Sequence, residues 1–425
     1  MSRVAERDRR HVWHPYTQHA LAAAPVPIAR AEGAYLYRDD GAPIFDAISS
    51  WWVTLHGHAH PAIAAAIARQ AATLEQVIFA GFTHEPGAEL AAALVGVLPH
   101  GLERVFFSDD GSTAVEVALK LALQYWHNRG ERRPLIAALE HAYHGDTFGA
   151  MAASDRGVFT EPFAGQLFQV ERLPDPGFDR EQMLRALDRL LDERGRDLAA
   201  VIVEPLLLGA GGMRVYATEI LSAIRERTQA AGVLLIVDEV LTGFGRTGPV
   251  FACEHARVEP DIVCLSKGLT GGFLPLGATA VREEIFAAFF GADRRRTFFH
   301  GHSYTANPIA CAAALASLRL LDEASTRARH EIQCAHEQEL AKLGSHRAVR
   351  NSRVLGTMAA FDIEGDGAGY LNPVGIELAS FALERGVLLR PLGNVVYLLP
   401  PYCSTRDDLA RAYDVVRQFL ERTPA

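Results

Sequence analysis

Two charged residues stand where apolar runs stop. In "LLIVDEVLTGFGRTG" (234–248) the run ends on Asp238, and in "DIVCLSKGL" (261–269) another ends on Lys267, 29 residues later. An ionised carboxylate at the end of a buried strand needs a cationic partner, or its pKa rises. That partner is either a local arginine such as Arg246 or a bound cation. A lysine so placed either snorkels to the surface or serves as a Schiff-base former. Gly111-Ser112-Thr113 follows the apolar "RVFF" and heads a helix. It reads as an ordinary N-cap or as a phosphate cradle, since a helix N-terminus offers free N–H groups to an anion. "HAYHGDT" (141–147) adds an aromatic ring, Tyr143. One ligand calls for all four features. Pyridoxal 5′-phosphate has an aldehyde for a lysine, a pyridine nitrogen for a carboxylate, a phosphate for a helix end and a ring to stack against.

Such residues need a scaffold that aims strand ends at one place. "PLIAAL" (134–139), "AAVIVEP" (199–205), "VLLIVDEV" (233–240) and "DIVCLSK" (261–267) are short, nearly continuous apolar runs separated by helical or loop segments. That alternation predicts a mainly parallel sheet covered on both faces, with ligands beyond the carboxyl ends of its strands. "STAVEVALKLALQYW" reads as a largely buried helix with Glu116 and Lys120 four apart on its polar stripe. Residues 61–80 and 87–97 read as Ala-rich helices, and "AYLYRDDGAPIFDAISS" as a hairpin turning at Asp39-Asp40-Gly41. After residue 310 come a long helix, the strands "VLGTMAAFDI" and "VLLRPLGNVVYLLPP", and a closing helix, "RDDLARAYDVVRQFLERT". The division this suggests is an N-terminal segment 1–55, a large domain 56–315 and a smaller α+β domain 316–425 that packs with the N-terminal segment.

"LLIVDEVLTGFGRTG" followed by "PDIVCLSKGLTGGFLPLGA" resembles the signature of the class III, pyridoxal-phosphate-dependent aminotransferases. "HAYHGDT", "VEPL" and "SYTANPIACAAA" match in the same order, so the resemblance spans nearly the whole chain. It implies the fold type I of these transferases: an α/β large domain on a mainly parallel sheet, with a smaller α+β domain. It also implies roles. Lys267 carries the cofactor and acts as general base, Asp238 faces the pyridine nitrogen, Tyr143 packs on the ring, Gly111 and Ser112 hold the phosphate, and Glu204 lies at the cofactor rim. Within the family, "WHPYTQ", "SSWWVTLHGHAHP" and "LRPLGNVVYLLPPY" are similar to the branch that serves biotin biosynthesis, which moves an amino group onto 8-amino-7-oxononanoate. Trp51 and Trp52 would wall the long apolar chain of that substrate, with Tyr16 and Tyr397 near the entrance, and Arg390 would grip its carboxylate through a bidentate fork. Without the resemblance, the tandem Trp reads as core and Arg390 as a surface ion pair.

The same resemblance places Gly301 at the substrate and His302 and Ser303 at the phosphate of a second subunit, so it implies a homodimer. Ser303 or Thr305 supplies the hydroxyl there. "HGHSYTANP" (300–308) departs from the "HGPTFMGNP" of the branch members that use S-adenosylmethionine, and is similar to versions that take the amino group from lysine. S-adenosylmethionine is the expected donor and lysine the alternative. An ω-amino-acid or diamine aminotransferase is the alternative within the family, against which "SSWW" and "WHPYT" speak. An aminomutase and a non-catalytic binding protein are the alternatives outside it.

Composition excludes other classes. The chain has 425 residues, 49% hydrophobic and 22% charged, with a formal net charge of −9 and no long basic run, which argues against a nucleic-acid partner. No apolar run reaches the ~18 residues of a membrane span, and the first residues lack a signal-peptide core, so a cytoplasmic protein is expected. The five cysteines include no C-x-x-C pair and mostly sit in apolar runs, as free buried thiols would. "HGHAH" (56–60), His141, His144, His300 and His302 have no accompanying Cys or carboxylate cluster, so no metal site is expected. There is no G-x-x-x-x-G-K-[ST], which rules out a P-loop, and "LGAGGM" (208–213) is a weak dinucleotide signal.

Overall fold

The computed structural model describes residues 3–364 and 369–422. Its centre is a seven-stranded sheet in the order Leu102–Ser108, Gly277–Arg282, Ile262–Leu265, Leu234–Asp238, Leu198–Val203, Leu135–Leu139, Glu171–Leu173. Six strands run one way, and only Gly277–Arg282 is antiparallel to its neighbours. The central strands "LAAVIV" and "LLIVD" are buried at every position, because helices cover both faces. Helix Gly111–Asn128 packs on one face, and Arg180–Arg194 and Thr218–Ala230 belong to the other. The result is the α/β, mainly parallel architecture expected.

The C-terminal part is an antiparallel sheet of Val349–Leu355, Met358–Ile363 and Val395–Leu398, backed by helices Glu323–Leu343, Val374–Glu384 and Arg406–Arg422. The N-terminal hairpin turns at Asp39–Gly41, and its strand Pro43–Asp46 pairs in parallel with Val387–Leu388. Ala34, Phe45 and Ala47 share one apolar core with Phe361, Leu378 and Val416. A smaller apolar cluster (Ile48, Trp52, Leu241, Met358, Tyr397) bridges the hairpin, the large sheet and the C-terminal sheet, and it underlies the site.

Three details depart from expectation. The helix expected over 61–80 stops at Ala71. Thr73 Oγ1 donates to the Arg69 carbonyl and Gln70 Nε2 to the Leu74 carbonyl, which turns the chain away. "VLGTMAAFDI" is two strands and not one. Gly356 turns between them at φ 58°, where a Cβ would come within 2.3 Å of the Thr247 backbone. Of the cysteines, 253, 264 and 311 are buried, but Cys334 is half-buried and Cys403 exposed. Among the described residues no helix is long and apolar enough to cross a membrane.

Candidate active site

A cavity of about 520 Å³ lies beyond the carboxyl ends of the parallel strands. That size suits a small-molecule site. Five strand ends feed it: Leu102–Ser108 leads to Gly111 and Ser112, Leu135–Leu139 to Tyr143 and His144, Leu198–Val203 to Glu204, Leu234–Asp238 ends on its own carboxylate, and Ile262–Leu265 leads to Lys267.

The helix starting at Gly111 is capped by neither Gly111 nor Ser112. Asp110 is the cap: its carboxylate accepts from Thr113 N at 2.7 Å, and Thr113 Oγ1 accepts from Asp110 N at 3.0 Å. The Gly111 and Ser112 N–H groups therefore have no acceptor among the described residues, and both residues line the cavity. Two unpaired N–H groups at the positive end of an 18-residue helix make an anion seat. Close packing protects it. A Cβ at Gly111 would meet Val240 at 2.7 Å, and one at Gly145 would meet Ser112 Oγ at 2.1 Å.

Asp238 is buried and its partner is not Arg246. Its Oδ2 lies 2.7 Å from His144 Nδ1, and its Oδ1 accepts from Val240 N at 3.1 Å. Arg246 points elsewhere and donates to the carbonyls of Pro400, Trp52 and Thr54. The second ring nitrogen of His144 is buried without a partner among the described residues. Glu204 is also buried; its two oxygens accept from the backbone N–H groups of Tyr143 (2.9 Å) and Gly209 (3.0 Å). Burial, more than the nearby Asp238, pushes its pKa up to about 7. Glu204 thus fixes the backbone that carries Tyr143 while lining the cavity.

Lys267 sits at φ 41°, in the left-handed region that side chains other than glycine seldom adopt. Its Nζ lies 5.0 Å from the centre of the Trp52 ring. Burial lowers its pKa below the usual lysine range, against the pull of Asp238 and Glu204. More of it is then the free amine that nucleophilic and general-base chemistry need.

The rest of the cavity is aromatic. Trp51 lies edge-on to Tyr16, with ring centres 5.4 Å apart, and beneath the Arg390 guanidinium at 4.5 Å. Arg390 makes no ion pair with any described residue. Tyr16 is bonded through its hydroxyl to Asp146 and lies 3.3 Å from the Tyr143 hydroxyl. Tyr397, expected at the entrance, is instead buried, and its hydroxyl accepts from Trp52 Nε1 at 2.9 Å. Packing among Ile48, Met358 and Leu399 draws it inward, so it supports Trp52 from behind while still lining the cavity.

Eleven of the residues picked out from the sequence thus share one cavity: Tyr16, Trp51, Trp52, Gly111, Ser112, Tyr143, Glu204, Asp238, Lys267, Arg390 and Tyr397. Gly301, His302 and Ser303 do not line it. His302 Nε2 is 3.8 Å from Asp109 Oδ1, Ser303 is exposed with its carbonyl accepting from Gln76, and Thr305 Oγ1 is taken up by the His302 backbone. Sequence reasoning missed His144, Asp146, Phe159 and Tyr370. The first two stood inside the quoted "HAYHGDT"; Phe159 and Tyr370, whose rings meet at 4.7 Å, carry no motif at all.

The donor set fits pyridoxal 5′-phosphate on the geometry alone: an anion seat, a buried carboxylate, a buried amine and a flanking tyrosine around one cavity. Comparison with known proteins points the same way. Residues 16–420 match the class-III aminotransferase family. An adenosylmethionine-8-amino-7-oxononanoate aminotransferase of Synechococcus elongatus is 51% identical over 418 residues, 97% of this chain and 98% of that protein. The enzyme of the same name from Nitratidesulfovibrio vulgaris is 40% identical, over 98% of this chain and 81% of its own. The crystal structure of an adenosylmethionine-8-amino-7-oxononanoate aminotransferase from Methanocaldococcus jannaschii superposes with a TM-score of 0.95 at 33% identity, covering 99% of each chain. A PLP-bound amine transaminase from an uncultivated Pseudomonas species gives 0.89 at 33% identity, covering 97% of this chain and 99% of that one.

Proposed function

This chain belongs to the class-III aminotransferases, which are pyridoxal-phosphate-dependent enzymes of fold type I, and from that premise we propose that it transfers an amino group from S-adenosylmethionine to 8-amino-7-oxononanoate, giving 7,8-diaminononanoate for biotin synthesis. The observation that carries the reading is the pairing of two basic side chains with two tryptophans in one cavity: Lys267 against Trp52 and Arg390 on Trp51. A substrate with a ketone, a long apolar chain and a carboxylate finds a matching group for each part. The names of the relatives support the donor and the acceptor alike.

Pyridoxal 5′-phosphate supplies an aldehyde that holds the travelling nitrogen and a ring that withdraws electrons from the reacting carbon. Gly111, Ser112 and the helix behind them hold its phosphate. Asp238, oriented by His144, holds a proton on the ring nitrogen. Tyr143, braced by Glu204, packs on the ring face. Lys267 Nζ takes and returns the proton at the substrate carbon that bears the nitrogen. Tyr16 and Trp51 offer flat surfaces for the adenine of the donor.

Arg390→Met tests the acceptor assignment. Losing a charge-assisted pair, worth roughly 1.5–3 kcal/mol, should raise KM for 8-amino-7-oxononanoate about 10- to 100-fold and leave kcat within a few-fold. Steady-state kinetics at varied acceptor would show it; an unchanged KM would remove Arg390 from the carboxylate site.

A homodimer completes the reading. Ile78, Phe82, Phe299 and Tyr304 are exposed, and Gln76 and Asn307 tie their two segments side by side. A second copy would cover this apolar surface and bring its Ser303 toward the phosphate seat, while Thr305 stays bonded within its own turn. Sedimentation of the cofactor-loaded protein should give a dimer, and a stable active monomer would contradict it.

A further inference from the structure

Trp51 and Trp52 are consecutive, yet both line the same cavity. In a helix, neighbouring side chains point about 100° apart, and in a strand they point to opposite faces. The chain escapes both patterns through an unusual turn. Ser49 (φ 53°), Ser50 (φ 61°, ψ −82°) and Trp52 (φ 68°) all lie at positive φ without being glycine. The Ser50 combination is a rare and strained γ-turn conformation. Such a turn persists only where its surroundings over-determine it.

What over-determines it is Asp46, a fully buried carboxylate that does not line the cavity. Its Oδ2 accepts from Ser50 N at 2.6 Å, from Ser50 Oγ at 3.1 Å and from His58 Nε2 at 2.8 Å. Its Oδ1 accepts from Ile48 N at 3.3 Å. The far side of the turn is tied by Ser49 Oγ to the Leu399 carbonyl and by Arg246 to the Trp52 carbonyl. Among the described residues only Asp46 grips Ser50 itself by both its N–H and its hydroxyl.

We propose that Asp46, held by His58, is a positioning residue that fixes chain-length preference by locking the Ser49–Trp52 turn, so that both indole rings face the substrate chain. It rests on the reading of the cavity as the seat of a long apolar chain. Asp46 touches no substrate and acts only through the two tryptophans. In Asp46→Asn the acceptor loses its charge, and whichever way the amide is turned its NH2 faces a donor, either Ile48 N or the Ser50 pair, so the lock on the turn weakens without a change in side-chain shape.

The test is calorimetric binding of two linear monocarboxylates, nonanoate and pentanoate, to the cofactor-loaded enzyme. A fully buried methylene is worth about fourfold in affinity, so partial burial of the four extra methylenes should favour nonanoate by at least about tenfold in the unchanged enzyme. D46N should bring the two acids to within about threefold of each other, as should Trp51→Ala, with pentanoate affinity little altered. Retention of the full preference in D46N would overturn the assignment, and so would an equal weakening of both acids, which would mark a merely structural role. Absence of any preference in the unchanged enzyme would overturn the chain-seat reading and this inference together; failure in the D46N arm alone leaves that reading standing. Should D46N not fold, His58→Phe removes the outer donor to Asp46 and is read by the same outcomes.

Discussion

A Lys267→Ala protein is expected to fold, to retain bound pyridoxal 5′-phosphate and to lose at least about 10⁴-fold in kcat, since on the proposed reading one side chain serves as both cofactor anchor and general base, and base catalysis alone is worth about 10²–10⁴. Folding should survive. The amine is costly to bury charged, and an alanine meets the backbone at φ 41° no worse than a lysine does. The phosphate seat at Gly111 and Ser112 and the buried Asp238 remain, so the cofactor is still held, though no longer covalently. Thermal denaturation, retention of the cofactor through gel filtration and single-turnover kinetics together check the three parts. Turnover within about a hundredfold of the unchanged enzyme would mean that another group is the base.

Asp238→Asn should be the second most damaging change, with kcat down about 10²–10³-fold, the usual cost of removing one preorganised electrostatic contact to developing charge. An amide can donate to a neutral pyridine nitrogen but cannot stabilise a proton on it. The electron-withdrawing power of the ring then falls, while the shape of the site does not. The contact between Asp238 Oδ2 and His144 Nδ1 at 2.7 Å keeps position 238 oriented, so the loss should sit in kcat more than in KM. A kcat within about tenfold of normal would show that the carboxylate does not face the ring nitrogen.

Much of this site was legible in the sequence because Ser112, Tyr143, Glu204, Asp238 and Lys267 each end or follow an apolar run, and the carboxyl ends of parallel strands converge by geometry. Asp238 and Lys267 announced themselves in that way. The runs also pointed to a mainly parallel sheet, though not to its one antiparallel strand, Gly277–Arg282. What could not be read was contact across the fold. His144 and Asp238 are 94 residues apart, and no periodicity in "HAYHGDT" marks its second histidine as the partner of a carboxylate. Arg246 looked like the natural neighbour of Asp238 because it is near in sequence, but the loop carries it to the carbonyls of Pro400, Trp52 and Thr54. The helix cap was misjudged for a related reason. Ser and Thr are good caps, but Asp110, just ahead of Gly111, takes that role by engaging Thr113, and the Gly111 and Ser112 N–H groups stay free. Glu116 and Lys120, read as one polar stripe, turn to separate tasks: Glu116 holds Thr147, Gly149 and Ala150, and Lys120 meets His300. The strained Ser49–Trp52 turn has no signature, because positive φ without glycine is imposed by tertiary contacts and not by local preference.

Transfer of an amino group from S-adenosylmethionine to 8-amino-7-oxononanoate is tested most directly by separating its two halves. The cofactor-loaded protein is mixed with S-adenosylmethionine alone, and in a parallel sample with lysine alone, while its visible absorbance is followed. The keto acid is then added, and 7,8-diaminononanoate is measured by mass spectrometry. The predicted result is loss of the absorbance with S-adenosylmethionine, recovery on addition of 8-amino-7-oxononanoate, and one equivalent of diamine per site. Loss with lysine but not with S-adenosylmethionine would contradict the donor, and failure of the keto acid to restore the absorbance after either donor would contradict the acceptor.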